Sequence, residues 1–387
     1  MIRFLTAGES HGQLLMGIIE GIPSGLELTV SDINPDLARR QIGYGRGDRM
    51  RIEKDTVEIT CGVRWGKTLG TPVGLLIKNR DWVNWSEKMS PDPSSADCMA
   101  AETKPRPGHA DLQGIIKYSH NDTRNVLERA SARETAMRVA LGAVAKKFLN
   151  LFDINIFSHV VELGGIKIEV KDISPEAIME KAESSELRCI DEQAETQMRK
   201  LIDDAKKKGD TVGGVFEIII TNAPTGLGSY SQWDKRMNAR LAYSLMSIQA
   251  IKGVEVGLGF ESAERFGSAV HDAIYYDDEN KRFYRKTNRA GGIEGGITNG
   301  ENIILRAAMK PIATLYSPLE SVDVRTKKPF KASIERSDIC AVPAASVVGE
   351  AMAAIEMANA MLEKFGGDSV EESKRNYLAY MEYVKGI

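Results

Sequence analysis

Two histidines in this 387-residue chain stand beside glycine and a carboxylate, although the chain holds only five histidines. His11 lies in GESHG (8–12) after a short apolar run, and His109 lies in PRPGHAD (105–111). Glycine lets the backbone turn and leaves little bulk nearby, so both imidazoles are expected to be exposed. Imidazole transfers protons near neutral pH, which makes both residues candidate acid–base groups. The alternative for each is an ordinary solvated surface histidine.

The segment ARRQIGYGRGDRMR (38–51) is rich in arginine. Its cationic residues are Arg39, Arg40, Arg46, Arg49 and Arg51. Guanidinium is permanently charged and presents a planar fork of donors, which suits a carboxylate or phosphate ligand. A solvated basic loop is an equal alternative, and an RNA-binding loop is a weaker one because only Tyr44 offers an aromatic platform. The formal net charge of −3 gives no overall basic field for nucleic acid, so any anion site must be local.

Three further segments could contact a ligand. GGIEGGITNG (291–300) has five glycines in ten residues, which permits close approach of backbone amides to a flat or anionic group, although a loose turn is the alternative. MKPIAT (309–314) and SIERSDICAVPA (333–344) add Lys310, Arg336 and Asp338. Neither GxGxxG after a strand nor GxxxxGK[ST] occurs, so the pattern indicates neither a dinucleotide-binding fold nor a P-loop.

Short apolar runs bounded by glycine or proline predict the strands that position these segments. The predicted strands are 2–6, 14–25, 56–63, 71–79, 212–223, 254–260 and 302–312. Two long segments, 43–55 and 79–111, lack such patterns and are expected to be mobile lids or binding loops.

Helical periodicity predicts three helices. SARE (131–134) has capping-box spacing and begins the first, a second runs over 234–249, and a third runs over 344–365 and stops at glycine. The charged stretch 169–210 reads as surface helix. Helix followed by strand occurs at least twice, which favours an α/β protein of layered sheets and helices with two related halves, and no linker divides residues 1–387 into separate domains.

The cysteines and the hydropathy limit the class of protein. Cys61, Cys98, Cys189 and Cys340 are widely spaced, so neither a zinc site nor a disulfide framework is expected. No apolar run approaches the roughly 18 residues of a membrane-spanning helix. We therefore expect a cytoplasmic protein that contains no metal and has neither membrane nor nucleic acid as a partner.

Taken together, GESHG, RRQIGYGRGDRM, PRPGHAD, RASARETA, GGIEGGITNG, KPIAT and RSDICAVPA occur in the order and spacing of one family. The chain resembles the chorismate synthases over nearly its whole length. The resemblance implies a carbon–oxygen lyase of the shikimate pathway, which leads to aromatic amino acids. Such an enzyme converts 5-enolpyruvylshikimate 3-phosphate to chorismate and phosphate by anti-1,4-elimination, using reduced FMN without net redox change. It also implies a homotetramer of single-domain chains with a layered β-α-β sandwich and internal pseudo-symmetry, unlike a Rossmann fold or a TIM barrel.

The resemblance also assigns roles to residues. It implies catalytic roles for His11 at the departing phosphate, His109 as proton partner of the flavin and Asp338 in removal of the substrate proton. It implies substrate or NADP contacts at Arg40 and Arg46, with Arg39, Arg49 and Arg106 as further anion contacts. The FMN-binding positions that it implies are Arg129, Ala130, Ser131, Gln249, Ala250, Gly295, Lys310, Pro311, Ile312, Ala313, Thr314 and Arg336.

Two questions stay open at this point. NADPH is a possible source of electrons for the flavin, although the compact length favours an external reductant. The alternatives in function are a flavin-dependent oxidoreductase, which should turn over NAD(P)H, and an anion- or RNA-binding protein, whose affinity should fall steeply with salt.

Overall fold

Two antiparallel sheets and the helices between and around them form the architecture, in a computed structural model that describes residues 1–47, 52–170 and 173–387. The helices in these ranges are α1 Val30–Gln41, α2 Asp111–Tyr118, α3 Arg124–Ala130, α4 Thr135–Leu149, α5 Pro175–Ser184, α6 Glu192–Lys208, α7 Met237–Met246, α8 Val342–Phe365 and α9 Val370–Lys385. The strands are β1 Arg3–Ala7, β2 Leu14–Glu20, β3 Val57–Cys61, β4 Val63–Arg64, β5 Lys67–Thr68, β6 Val73–Lys78, β7 Asn155–Leu163, β8 Ile166–Lys167, β9 Gly214–Thr221, β10 Ile251–Val256, β11 Ile274–Asp277, β12 Arg282–Arg285, β13 Ile293–Glu294, β14 Ile297–Thr298, β15 Ile303–Met309, β16 Glu320–Val322 and β17 Pro329–Lys331.

The first sheet has the order β1-β2-β6-β3 and covers the core with one face. Side chains alternate along its strands, so Leu15, Ile19 and Ile77 are fully buried. On the opposite face Met16 and Ile18 are exposed, because the four-stranded sheet has no helix there within the described residues. The alternation fixes which strand positions meet helix α4.

The second sheet has the order β10-β15-β9-β7-β8, and its central strands β7 and β9 are buried on both faces. One face packs on α8. The other carries Phe157 and Ile219, which form a separate small cluster with Ile178 of α5. Burial on both faces explains why β9 reads as a continuous apolar run rather than an alternating one.

Helices α4 and α8 lie against each other and connect the two sheets. Helix α4 packs on β2 and β6, while α8 packs on β7 and β9. Nearly every residue of α8 is buried, which fits its Ala- and Met-rich composition. At Gly142 the helices approach so closely that an added Cβ would lie 2.3 Å from the Cβ of Ala351. The glycine therefore sets the distance between the two layers.

The structure confirms the mixed α/β class and most of the predicted elements. Ser131 precedes a 3₁₀ turn, Ala132–Glu134, that leads into α4, and α7 is shorter than the predicted helix. Helices α1, α2, α3 and α9 were not predicted from the sequence, and α1 contains Arg39 and Arg40. The stretch 79–111, expected to be an irregular loop, contains the 3₁₀ helices Arg80–Asn84 and Pro93–Ser95. Of the loop 43–55, the structure describes only 43–47 and 52–55.

Three properties bear on the class of protein. Throughout the described part of the chain, no helix combines the length and apolar character needed to cross a membrane. The same residues contain no group of histidine, cysteine and acidic side chains that could hold a metal ion. All four cysteines carry free thiols.

The close contact at Gly142 predicts that Gly142→Ala destabilises the fold. Alanine favours a helix by about 1 kcal/mol over glycine, but overpacking a core costs about 1–3 kcal/mol. We expect the free energy of unfolding in urea to fall by about 1 kcal/mol or more. The exposed Thr196→Ala in α6 serves as control and should change it by less than about 0.5 kcal/mol. Greater stability of Gly142→Ala would contradict the close packing of α4 on α8.

Candidate active site

The first predicted histidine is buried, which corrects the expectation that its glycine neighbours expose it. His11 is 8 % exposed, because the indole of Trp85 stacks on its ring with centroids 4.1 Å apart and an interplanar angle of 24°. Trp85 belongs to the segment 79–111, which Asn79 fastens to the GESHG turn by donating hydrogen bonds to the carbonyls of Glu9 and Gly12. Local sequence could not reveal a cover supplied from more than 70 residues away.

A buried carboxylate orients His11. Glu128, at the end of α3, lies 2.9 Å from the Nδ1 of His11 and also accepts a hydrogen bond from its backbone amide at 2.7 Å. Because an ionised carboxylate can only accept, Nδ1 carries the proton of this contact. Burial alone would raise the pKa of Glu128, but the hydrogen bonds from His11 and the charge of Arg124 lower it. Proton exchange with a ligand then falls to Nε2 of His11.

The second histidine has the same kind of partner. Nδ1 of His109 lies 2.5 Å from Oδ1 of Asp111, at the start of α2. Arg106 binds the same carboxylate through Nε and Nη2 and donates to Thr314 through Nη1 at 2.8 Å. Although burial opposes the shift, the hydrogen bonds from His109 and Arg106 lower the pKa of Asp111 well below its usual range. His109 is only partly buried, so its expected exposure is confirmed in part.

Of the predicted arginines, Arg46 contacts Asp338 and Arg40 interacts with it electrostatically. Arg46 Nε lies 3.4 Å from Asp338 Oδ2, and the Gly47 amide donates to Oδ1 at 2.7 Å. Arg40 is buried and binds the start of α4 through Thr135 Oγ1 and the Ala132 carbonyl. Desolvation lowers the pKa of Arg40 to about 10, which leaves it charged at neutral pH. Asp338 and the two guanidiniums form one electrostatic cluster.

The remaining arginines differ in placement. Arg106 joins the His109 group, as described. Arg39 is not brought to the site, since its guanidinium is held by Asp36, Glu183 and Glu350 on the α4–α8 side of α1. Consecutive helical residues point about 100° apart, which separates Arg39 from Arg40. Arg49 lies outside the residues that the structure describes.

The residues implied for FMN form two contacting groups. Ser131 Oγ accepts a hydrogen bond from the Ser10 hydroxyl, and Arg129 donates to the carbonyls of Thr6 and Gly8, so both stand beside the His11 turn. Ala130 lies between them at the end of α3. Gln249 donates to Glu134 at 3.1 Å, which brings the segment after α7 to the same helix terminus.

The second group surrounds the strand end that follows β15. The backbone amide of Lys310 donates a hydrogen bond to the Ala250 carbonyl at 3.0 Å, and its side chain donates one to the Gly108 carbonyl. Ala250 has a φ of +67°, a strained value for a residue with a side chain. The following residues Pro311, Ile312 and Ala313 are partly or fully exposed, while Thr314 is buried against Arg106. The KPIAT segment therefore lies next to His109.

Two implied FMN residues need separate comment. Arg336 binds the buried Asp81 at 2.9 Å and is about half exposed, at the edge of the His11 group. Gly295 is not brought to the other residues: Gly296 accepts a hydrogen bond from Met237 at the start of α7, whereas Gln249 follows its end. The ten residues of α7 span about 15 Å, which is therefore the approximate separation of Gly295 from Gln249 in the same chain.

A cavity of about 260 Å³ opens beside Asp338. Its lining residues are Gly45, Arg46, Gly47, Lys206, Tyr316, Ser337 and Ile339. Arg46 and Lys206 make it a cationic recess. The cavity adjoins Asp338, so an anionic group bound there would lie beside this catalytic candidate.

Sequence reasoning missed the residues that hold the candidates in place. Trp85 and Glu128 contact His11, and Asp81 binds Arg336. Arg133 donates to both oxygens of Asp55 at 2.6 and 2.8 Å, burying an ion pair behind the α4 terminus. The spacing of Arg124 and Glu128, four residues apart on a helix, was an available indication of an ion pair, but not of its neighbour His11.

Comparisons with known proteins agree across the whole chain. Residues 2–362 match the family model described as chorismate synthase. The chorismate synthases of Geobacter metallireducens and Aquifex aeolicus are 60% and 57% identical to this chain, over 100% of this chain and 100% and 99% of their own. A crystal structure of chorismate synthase, 48% identical, superposes with a TM-score of 0.81 and covers 100% of this chain and 99% of its own.

The Asp111 geometry predicts a pH-dependent effect of Asp111→Asn. The stabilisation from a carboxyl with a lowered folded pKa is complete above the unfolded value, about 3.9, and is lost as pH falls through the folded value. We expect Asp111→Asn to cost about 3 kcal/mol in urea unfolding at pH 7. The difference in the free energy of unfolding between wild type and Asp111→Asn should be smaller at pH 3, where the wild-type carboxyl is protonated in the unfolded chain.

The exposed Asp234→Asn is the matched control and should alter stability by less than about 0.5 kcal/mol at either pH. A deficit for Asp111→Asn that is equal at pH 7 and pH 3 would show that ionised Asp111 does not contribute through His109 and Arg106.

Proposed function

The chain belongs to the chorismate synthase family, and from this premise we propose that the groups around His11, His109 and Asp338 form its active site. It is a carbon–oxygen lyase of the shikimate pathway that converts 5-enolpyruvylshikimate 3-phosphate to chorismate and phosphate. This activity takes precedence over the oxidoreductase and RNA-binding alternatives. The observation that carries the site assignment is that both histidines direct Nδ1 to a buried carboxylate, which commits each ring to proton transfer through Nε2.

The substrate carries two carboxylates and a phosphate, so it needs local cations in a chain of net charge −3. Arg46 and Lys206 line the cavity beside Asp338, and Arg40 lies behind them with its charge retained. We assign substrate anion binding to Arg46, supported by Arg40. Arg106 acts indirectly, because Asp111 and Thr314 occupy its donors. Arg39 is a structural residue.

His11 is assigned to the departing phosphate. Its protonated ring can stabilise or protonate the leaving oxygen through Nε2, while Glu128 balances the charge on the Nδ1 side. Asp338 is assigned to the opposite event, removal of the ring proton, because its carboxylate is held by the Gly47 amide and Arg46 as an acceptor. Placing donor and acceptor on different segments suits an anti elimination, in which the two groups leave from opposite faces.

Reduced FMN is the proposed cofactor, and the residues present fit it. Gln249 Oε1 is buried and finds no hydrogen-bond partner among the described residues, which leaves an acceptor for a ring N–H. Ser131 stands at the start of the 3₁₀ segment that leads into α4, and Lys310, Arg129 and Arg336 supply positive charge. When bound, reduced FMN supplies transient electron density that helps the phosphate leave, without net redox change.

The protein holds a proton near that cofactor through His109. The partly exposed imidazole is oriented by Asp111 and lies beside the KPIAT segment, to which Lys310 ties its loop. Ala130, Ala250, Pro311, Ile312, Ala313 and Thr314 are proposed as contacts of the cofactor, with Ile312 and Ala313 contributing backbone groups. Gly295 joins this set only by analogy with the family, since it lies at the far end of α7. NADPH is retained as a possible reductant for the flavin.

We also propose the family's architecture, assembly and cellular location for this chain. The α4–α8 pair between two sheets supports a layered β-α-β sandwich with pseudo-symmetric halves, and a hydrophobic cluster that runs from Ile2 to Val370 supports a single domain over 1–387. The exposed apolar face with Leu5, Met16 and Ile18 supports a homotetramer. Free cysteines at all four positions fit a reducing cytoplasm.

The activity is tested by an anaerobic assay of purified protein with 5-enolpyruvylshikimate 3-phosphate and chemically reduced FMN. We expect chorismate and phosphate to be released together in equal amounts, with oxidised FMN giving neither. Product formation without flavin would refute the cofactor assignment. Flavin binding without product would refute the proposed active site.

The two histidines are tested by His11→Ala and His109→Ala in the same assay. Each should lower turnover by about 10²-fold or more, because each removes a proton-transfer group. The exposed His271→Ala is the matched control and should retain wild-type turnover. Turnover near that of the wild type in either active-site variant, with the fold intact by circular dichroism, would remove that residue from the mechanism.

A further inference from the structure

Trp85 and Glu128 together fix both the direction and the plane of the His11 ring. Glu128 is buried and takes two hydrogen bonds from His11, one from the backbone amide at 2.7 Å and one from Nδ1 at 2.9 Å. Its carboxylate is braced in turn by Arg124 at 3.2 Å, which also binds Glu335. A carboxylate held from two sides cannot follow a rotating imidazole, so the Nδ1 edge has one direction.

The stack on Trp85 supplies the second constraint. An interplanar angle of 24° at 4.1 Å is a parallel contact, so the indole fixes the plane in which Nε2 of the imidazole points. Two hydrogen bonds hold Trp85 in this position. Its backbone amide donates to the Trp82 carbonyl, and Asn79, at the start of the segment, donates to the Gly12 carbonyl in the His11 turn. Trp85 is thus part of the site and not a passing surface aromatic.

Charged groups of both signs lie near the His11 ring within the described residues. Glu128 and Asp81 are acidic groups beside it, and the indole of Trp85 covers one of its faces. The cations nearby are Arg124 and Lys88, whose charged ends lie 5.1 and 5.0 Å from the Trp85 ring centre, and Arg336 on Asp81. Each of these cations is engaged by a carboxylate or an aromatic ring.

We propose that Glu128 and Trp85 are the positioning residues of His11: the carboxylate sets its tautomer and the direction of its Nδ1 edge, and the indole sets its plane, so that Nε2 is presented to the departing phosphate. This inference rests on the proposed function, in which His11 serves that phosphate. Neither residue touches the reacting atoms. Their substitution should therefore lower kcat while leaving KM within about twofold.

The emission of Trp85 reports the stack independently of catalysis. It is isolated as the difference between each protein and its Trp85→Phe counterpart, because the chain holds three other tryptophans. Imidazole in stacking contact quenches indole, so His11→Asn should raise this emission. Glu128→Ala should raise it similarly by releasing the ring, whereas Glu128→Gln, which keeps an acceptor for Nδ1, should leave it near the wild-type level.

The kinetic measurements distinguish the effect of the Glu128 charge from the effect of the Trp85 ring that fixes the plane of His11. Glu128→Gln should lower kcat by about 10- to 100-fold through loss of the charged partner. Trp85→Ala should lower it by about tenfold, and Trp85→Phe, which preserves a stacking ring, by less. Trp82→Phe, in the 3₁₀ helix Arg80–Asn84 that precedes Trp85, is the matched control and should keep the wild-type kcat. Circular dichroism confirms that each variant folds. If Glu128→Ala does not fold, His11→Asn still tests the stack by emission and Glu128→Gln still tests the carboxylate by kcat.

The outcomes distinguish this inference from the proposed function. Unchanged Trp85 emission in His11→Asn, or wild-type kcat in both Glu128→Gln and Trp85→Ala, would overturn the positioning roles. If His11→Asn raises the emission but keeps full activity, the stack exists and the assignment of His11 to the phosphate fails instead.

Discussion

Buried carboxylates hold the two histidines of the candidate site and the arginine that lies behind it. His11 has Glu128, His109 has Asp111, and Arg133 has Asp55, each held at hydrogen-bond distance. A charge removed from water is costly unless it is paired, so cations can be concentrated in a chain of small net charge only where acids are buried with them. The pairs also orient, since a carboxylate that accepts at Nδ1 decides which imidazole nitrogen faces a ligand. Charge balance and direction are therefore supplied by the same contacts.

These pairs can form because the fold brings distant segments to the start of α4. The GESHG turn after β1, the end of α3 and the segment after α7 meet there through Ser131, Glu128 and Gln249. The KPIAT segment after β15 reaches His109 separately. A site assembled from the ends of elements keeps its side chains on rigid supports while leaving space between them for a ligand.

The sequence predicted the elements better than the surroundings of their residues. Periodicity located α4 and α8 because their buried faces repeat along the helix, and glycine or proline marked the strand ends. The prediction that His11 is exposed was wrong, because Trp85, which covers its ring, belongs to a segment remote in sequence. The family motifs implied anion contacts at both Arg39 and Arg40 and did not predict that these residues, adjacent in sequence, would point to different networks.

The contact between Gly142 and Ala351 has a consequence for how the sequence can change over time. Gly142 has no side chain, so the methyl group of Ala351 alone occupies the space between α4 and α8 at this point. A larger residue at either position would push α4 away from α8 and carry the Ser131 terminus with it. Substitutions at these two positions are thus epistatic, since a side chain can be gained at position 142 only if position 351 loses its methyl group or the two helices separate.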